Sequence, residues 1–148
     1  MITGTKYLGI DFGLKRIGIS VSDESKSYAF QREHLLNDKD IFEKLIKLIK
    51  FENVSDIIIG YPLRFNSEKT HSTDDVDKFK ITLENFLKKY TLECAVHFLD
   101  ERLTSSLAQY NLQSSGLSKK KRQDKGLLDS ISAQIILQDY IDSLKNKT

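Results

Sequence analysis

Apolar residues in the first third of the chain fall in short blocks or alternate with small residues, and beyond residue 40 they begin to recur every third or fourth position. Residues 7–12 (YLGIDF) form a nearly continuous apolar run closed by Gly13, the pattern of a strand covered on both faces. Residues 16–22 set Ile17, Ile19 and Val21 against small or polar neighbours, and the Gly-Leu-Lys link between the two runs predicts an antiparallel hairpin. Residues 28–35 are a third expected strand. Ile41, Phe42, Leu45, Ile46, Leu48 and Ile49 then repeat at helical spacing with Glu43, Lys44, Lys47 and Lys50 opposite, and Asn37 or Asp38 is the expected N-cap.

The alternation of elements continues to the end of the chain. Residues 56–60 (DIIIG) read as a buried strand closed by Gly60, ahead of the only proline, Pro62. Residues 64–73 are polar and long for a connection, so a loop is expected there. Val76, Phe79, Leu83, Phe86 and Leu87 mark a second helix over 74–90, and residues 95–99 (AVHFL) another strand. Thr104 can cap a helix carrying Leu107, Tyr110 and Leu112 to Gly116, and residues 127–144 are the final helix. Its polar stripe is Ser130, Gln134, Gln138 and Asp142, and its inward stripe Ala133, Ile136, Tyr140 and Leu144. Strands alternating with helices after an antiparallel start imply an α/β mixed sheet with helices on both faces.

Composition narrows the class. The 148 residues are 39% hydrophobic, with no repeat or linker, so one domain over 1–148 is expected, large enough to hold its core without a disulfide or structural metal. The single cysteine, Cys94, excludes an intramolecular disulfide and a multi-cysteine metal site, and is expected to be a small buried hydrophobe. No apolar run approaches the roughly 18 residues of a membrane span, and the start MITGTKYLGIDFG lacks a secretory signal, so a cytoplasmic setting is expected. Residues 119–125 (KKKRQDK) carry +4 of a total of +2, which leaves the rest of the chain at −2.

Carboxylates stand at three places where a plain fold would not put them. Asp11 interrupts the apolar first strand, where a charged, unpaired group would cost several kcal/mol. Asp100 and Glu101 end a buried strand, at the sheet edge where α/β proteins bind ligands, and strand alternation lets only one of them share a face with Asp11. Asp129 heads the inward stripe of the last helix. Each has an ordinary explanation in a turn or a helix dipole. Together they are the oxygen donors that one or two hard cations need for phosphoryl transfer.

These residues lie in four motifs: LGIDFGLKRIGISVSD at 8–23, IIIGYPL at 57–63, FLDERLTS at 98–105 and KKKRQDKGLLDSISAQIILQDYI at 119–141. The combination resembles the YqgF family, also called RuvX, within the ribonuclease H-like superfamily. The resemblance spans nearly the whole chain. It implies a ribonuclease H-like mixed five-stranded sheet flanked by helices, and a nuclease site in which Asp11, Glu101 and Asp129 are catalytic and bind Mg²⁺ or Mn²⁺, with Asp100 as a further metal ligand. The sequence departs from the usual family pattern after the proline, where residues 64–73 lack glycine, and at Ser105, a serine where threonine is usual.

The function expected is a metal-dependent endonuclease acting in 5′-end maturation of the 16S ribosomal RNA precursor. Resolution of branched DNA junctions, and a non-catalytic role as a nucleic-acid-binding ribosome or transcription factor, are the alternatives. Lys15, Arg16, Arg102, Lys119, Lys120, Lys121, Arg122 and Lys125 are the expected phosphate contacts, and no aromatic RNA-binding motif is present. A homodimer is the expected form of self-association. The GIDFG element also opens actin-like ATPases, but 148 residues cannot supply their two lobes. His34, His71 and His97 lack metal-ligand spacing, and His97 is expected in the core.

Overall fold

The computed structural model describes residues 4–61, 71–100 and 125–145. Its elements in chain order are β1 (Lys6–Asp11), β2 (Arg16–Ser22), β3 (Ala29–Leu36), α1 (Ile41–Glu52), β4 (Val54–Tyr61), α2 (His71–Lys89), β5 (Ala95–Asp100) and α3 (Lys125–Lys145). The expected helix over 104–116 lies outside the described residues.

The five strands form one mixed sheet of order β3-β2-β1-β4-β5. The hairpin β1–β2 and the pair β2–β3 are antiparallel, whereas β4 runs parallel to β1, and β5 parallel to β4. Alternation along the strands sorts the side chains into two layers. Leu8 and Ile10, Ile17, Ile19 and Val21, and Ile57 and Ile59 face Ile41, Leu45, Ile46 and Ile49 of α1 and Val76, Phe79, Leu83 and Leu87 of α2. Each fully buried Ile or Leu there contributes about 1.5–3 kcal/mol. On the other face Ala29 and Ile58 meet Ile136, Leu137 and Ile141 of α3. The expectation of a mixed sheet covered on both faces is met.

Local details depart from the sequence reading. The N-cap of α1 is Asp40, without a side-chain capping bond, because Asn37 and Asp38 are committed elsewhere. Asn37 Nδ2 donates to the Gly13 carbonyl at 2.8 Å, and Asp38 accepts the Asp40 amide at 3.0 Å. Helix α2 starts at His71, so residues 71–73 of the expected polar loop are its first turn; residues 62–70 lie outside the described part. Thr73, fully buried, heads the inward stripe that continues at Val76, and its hydroxyl gave no apolar signal. His97 is partly exposed and not a core residue, because its contact with Asp56 Oδ2 at 2.9 Å holds it at the sheet surface.

The polar stripe of α3 is not solvated along its length. Ser130 Oγ donates to the Arg32 carbonyl at 2.8 Å and Gln134 Nε2 to the Ala29 carbonyl at 3.1 Å. Gln138 accepts the Ala29 amide at 2.8 Å and donates to the Ser27 carbonyl at 3.2 Å. These residues satisfy backbone groups at the start of the edge strand β3, which would otherwise invite pairing with another chain.

Candidate active site

Asp11 ends β1 in the middle of the sheet. It pairs with Gly18 of β2, and on the other side lies one step beyond the Ile10–Ile59 pair, level with Gly60 of β4. Glycines therefore flank the carboxylate on both neighbouring strands. The small residues of β1 and β2, Gly9, Gly18, Ser20 and Ser22, lie on Asp11's face of the sheet and let α3 settle directly on the backbone. A Cβ on Gly9 would lie 2.8 Å from Leu137 Cβ, and Ser20 Oγ donates to the Ala133 carbonyl at 2.7 Å. At Gly18 a Cβ would collide with the Asp129 carbonyl oxygen and lie 3.1 Å from its Cβ. The alternation read in residues 16–22 was the signal of this seat, since its small positions are the ones that α3 covers.

The seat carries Asp129 to the strand beside Asp11. Arg16 Nε donates to Asp129 Oδ2 at 3.0 Å, with about a quarter of each side chain exposed (26% and 29%). The turn that delivers Arg16 is held tightly. A Cβ on Gly13 would lie 2.5 Å from the Arg16 carbonyl oxygen, and Asn37 bonds both the Gly13 carbonyl and, through its own amide, that of Lys15 at 2.9 Å. Asn37 is thus a positioning residue that sequence reasoning assigned to a helix cap. Lys15 is exposed in the same turn.

The remaining candidates divide by face. In β5, Val96 packs with the α1–α2 layer and Phe98 against Tyr61, while Leu99 packs under α3 and His97 against Tyr140. Alternation puts Asp100 on the α1–α2 side, opposite the face that carries Asp11 and Asp129. Glu101, Arg102, Lys119, Lys120, Lys121 and Arg122 lie outside the described residues, and Lys125 is the first residue of α3. Among the described residues no three His, Cys, Asp or Glu side chains gather into a metal-holding group. The donors present nonetheless fit a hard cation. Asp129 already holds a positive group at Oδ2, and the residues level with Asp11 on the two neighbouring strands are the glycines Gly18 and Gly60.

A second polar cluster lies on the same face, nearer the opposite end of the strands. His97 Nε2 meets Asp56 Oδ2 at 2.9 Å, Ser55 Oγ donates to Asp56 Oδ1 at 2.7 Å, and Lys26 Nζ donates to Ser55 Oγ at 2.9 Å. Burial raises the Asp56 pKa, but the hydrogen bonds from His97 and Ser55 and the charges of His97 and Lys26 outweigh it and hold the carboxyl below its ordinary value. Tyr140 stacks on His97 with ring centroids 5.7 Å apart and meets Tyr7 edge-on at 5.7 Å; burial raises both phenol pKa values, helped by Asp56. Cys94 is half-buried, and its Sγ donates to the Val54 carbonyl at 3.0 Å.

A central-strand carboxylate beside an acidic helix, on a sheet of order β3-β2-β1-β4-β5, defines a ribonuclease H-like protein. The chain belongs to the RuvX family, described as Holliday junction resolvase, whose model matches residues 5–143. It is 41% identical over 140 residues to a protein of Sulfurihydrogenibium sp. strain YO3AOP1, covering 95% of this chain and 92% of that one. It is 40% identical over 145 residues to a protein of Mycoplasmopsis synoviae, covering 95% and 99%. Both bear the name "Putative pre-16S rRNA nuclease". The fold is shared with T. thermophilus RuvC in complex with a Holliday junction substrate, at a TM-score of 0.59 and 11% identity over 95% of this chain and 96% of that one. It is shared also with fowlpox virus resolvase bound to Holliday junction DNA, at a TM-score of 0.55 and 11% identity over 95% and 99%. Among the described residues no helix is long and apolar enough to cross a membrane.

Proposed function

We propose that this chain is a metal-dependent endonuclease that hydrolyses phosphodiester bonds in the 16S ribosomal RNA precursor, in the cytoplasm, during ribosome maturation. The observation that carries the reading is the contact between Gly18 and Asp129, which seats a helix carboxylate one strand away from Asp11 on one face of the sheet. The name borne by relatives at about 40% identity supports precursor RNA as the substrate.

In this reading Asp11, Asp129 and Glu101 hold Mg²⁺ or Mn²⁺. Asp100, which alternation places on the opposite face from Asp11, is not included in the set. When bound, such ions stabilise the attacking and leaving oxygens of the phosphodiester. The protein's own part is to hold two carboxylates on rigid elements and to orient the strand through Lys15, Arg16, Arg102, Lys119, Lys120, Lys121, Arg122 and Lys125. Those cations supply affinity without reading sequence. A homodimer is proposed as the form of self-association.

The test is cleavage of precursor ribosomal RNA and of a synthetic four-way DNA junction by the wild type, Asp11→Asn and Asp129→Asn, with Mg²⁺ or Mn²⁺. Cleavage of the RNA by the wild type only is the expected result. Equal cleavage by the Asn variants would remove the acidic site from the reaction, and cleavage of the junction alone would replace RNA by branched DNA as substrate.

A further inference from the structure

The side chain that meets Asp129 belongs to a residue whose backbone is held by strand pairing and by a bonded turn. Arg16 opens β2, its strand is paired on both sides, and the preceding turn is fastened by Asn37. Asp129 is fixed just as firmly, with its main chain on Gly18. The guanidinium, on three rotatable methylenes and about a quarter exposed, has the longer reach of the two side chains. It engages Asp129 through Nε on a single carboxylate oxygen, and not through its terminal fork.

We infer that Arg16 is an internal stand-in for the cation. It neutralises Asp129 while the site holds no metal, and it is released to a backbone phosphate of the nucleic acid when a divalent ion enters. This rests on the reading of Asp11 and Asp129 as a cation site. The reason is electrostatic: a guanidinium on the carboxylate and a dication beside the same carboxylate repel at that range, which favours release of the guanidinium. The guanidinium is on the longer and more flexible side chain, and its terminal fork, which Asp129 does not engage, matches a phosphate. Metal binding and strand binding are therefore coupled through Arg16, each strengthening the other.

Calorimetry of Mn²⁺ binding to the wild type, Arg16→Ala, Arg16→Gln and Asp129→Asn, with anisotropy of a short labelled RNA in EDTA or Ca²⁺, tests this. Both Arg16 variants should bind Mn²⁺ about 3- to 10-fold more tightly, since a competitor and a repelling charge are gone. The ratio of wild-type to variant affinity for RNA should be roughly fivefold larger with Ca²⁺ than in EDTA, because the phosphate contact of Arg16 is made when the cation is bound. Unchanged or weaker Mn²⁺ binding by both variants would make Arg16 a fixed support of Asp129 and overturn the inference. Retention of Mn²⁺ affinity by Asp129→Asn would instead overturn the underlying cation site.

Discussion

The main chain of Asp129 rests on Gly18, the residue that pairs with Asp11 across the β1–β2 hairpin. The obstacle to any side chain at Gly18 is backbone, which cannot rotate out of the way. Gly18→Ala is therefore expected to cost about 1–3 kcal/mol by overpacking. It should also lower cleavage by about 100-fold, because it lifts one carboxylate away from the other. Thermal unfolding together with single-turnover cleavage checks this; a stable, fully active variant would contradict the seat described for α3.

Gln138 closes two backbone groups at the start of β3, accepting from Ala29 and donating to Ser27. Gln138→Ala should destabilise the protein by about 1–3 kcal/mol through the orphaned groups. Because β3 is an edge strand, it should also promote self-association. Denaturant midpoints and light scattering measure the two effects. Gln134→Ala, which loses one bond to Ala29, should do less of each.

Asp56 is held below the ordinary carboxylate range by its partners, so its pairing stabilises the native state above that range. The contribution is lost as pH falls through the depressed native value. The wild type should be more stable than Asp56→Asn at neutral pH, and the gap should close below about pH 4. Equilibrium unfolding at a series of pH values gives the result, and a gap independent of pH would refute the lowered pKa of Asp56.

Burial, and then the negative charge of Asp56, push the Cys94 thiol from 9.0 up to about 11. A raised native pKa gives stability that is intact below the unfolded value and lost as pH rises through the native one. Stability should therefore fall between about pH 9 and 11, less steeply in Cys94→Ala; Tyr7 and Tyr140, also raised, leave a remaining slope in that variant. At pH 8 Cys94 should react with a disulfide reagent far more slowly in the folded protein than in denaturant.

Much of the frame is legible in the residues. Each described element lies within three residues of its expected bounds, because strand alternation and helical periodicity here agree with burial. The misread residues are polar ones whose partner is distant in the chain. Asn37 has a capping residue's chemistry but bonds Gly13, 24 positions earlier. Ser130, Gln134 and Gln138 look like a solvated stripe, yet their partners are backbone groups about 100 positions away. His97 sits in an apolar run and is drawn out of the core by Asp56, 41 positions earlier.

The same division holds at the site. The sequence alone determined which residue types are present: Asp11 in an apolar strand, Asp129 heading a helix stripe, and small residues alternating through β2, since covalent order and local periodicity decide these. It left open which of Asp100 and Glu101 shares Asp11's face, and it gave no hint that Arg16 holds Asp129. Tertiary structure decided that Asp100 lies on the opposite face and that an arginine and an aspartate 113 positions apart meet at 3.0 Å. The physical reason is that face and distance depend on strand register and on how closely a helix may approach. That approach is set at Gly9 and Gly18 by the absence of a side chain, and its effect appears only when the helix is in place.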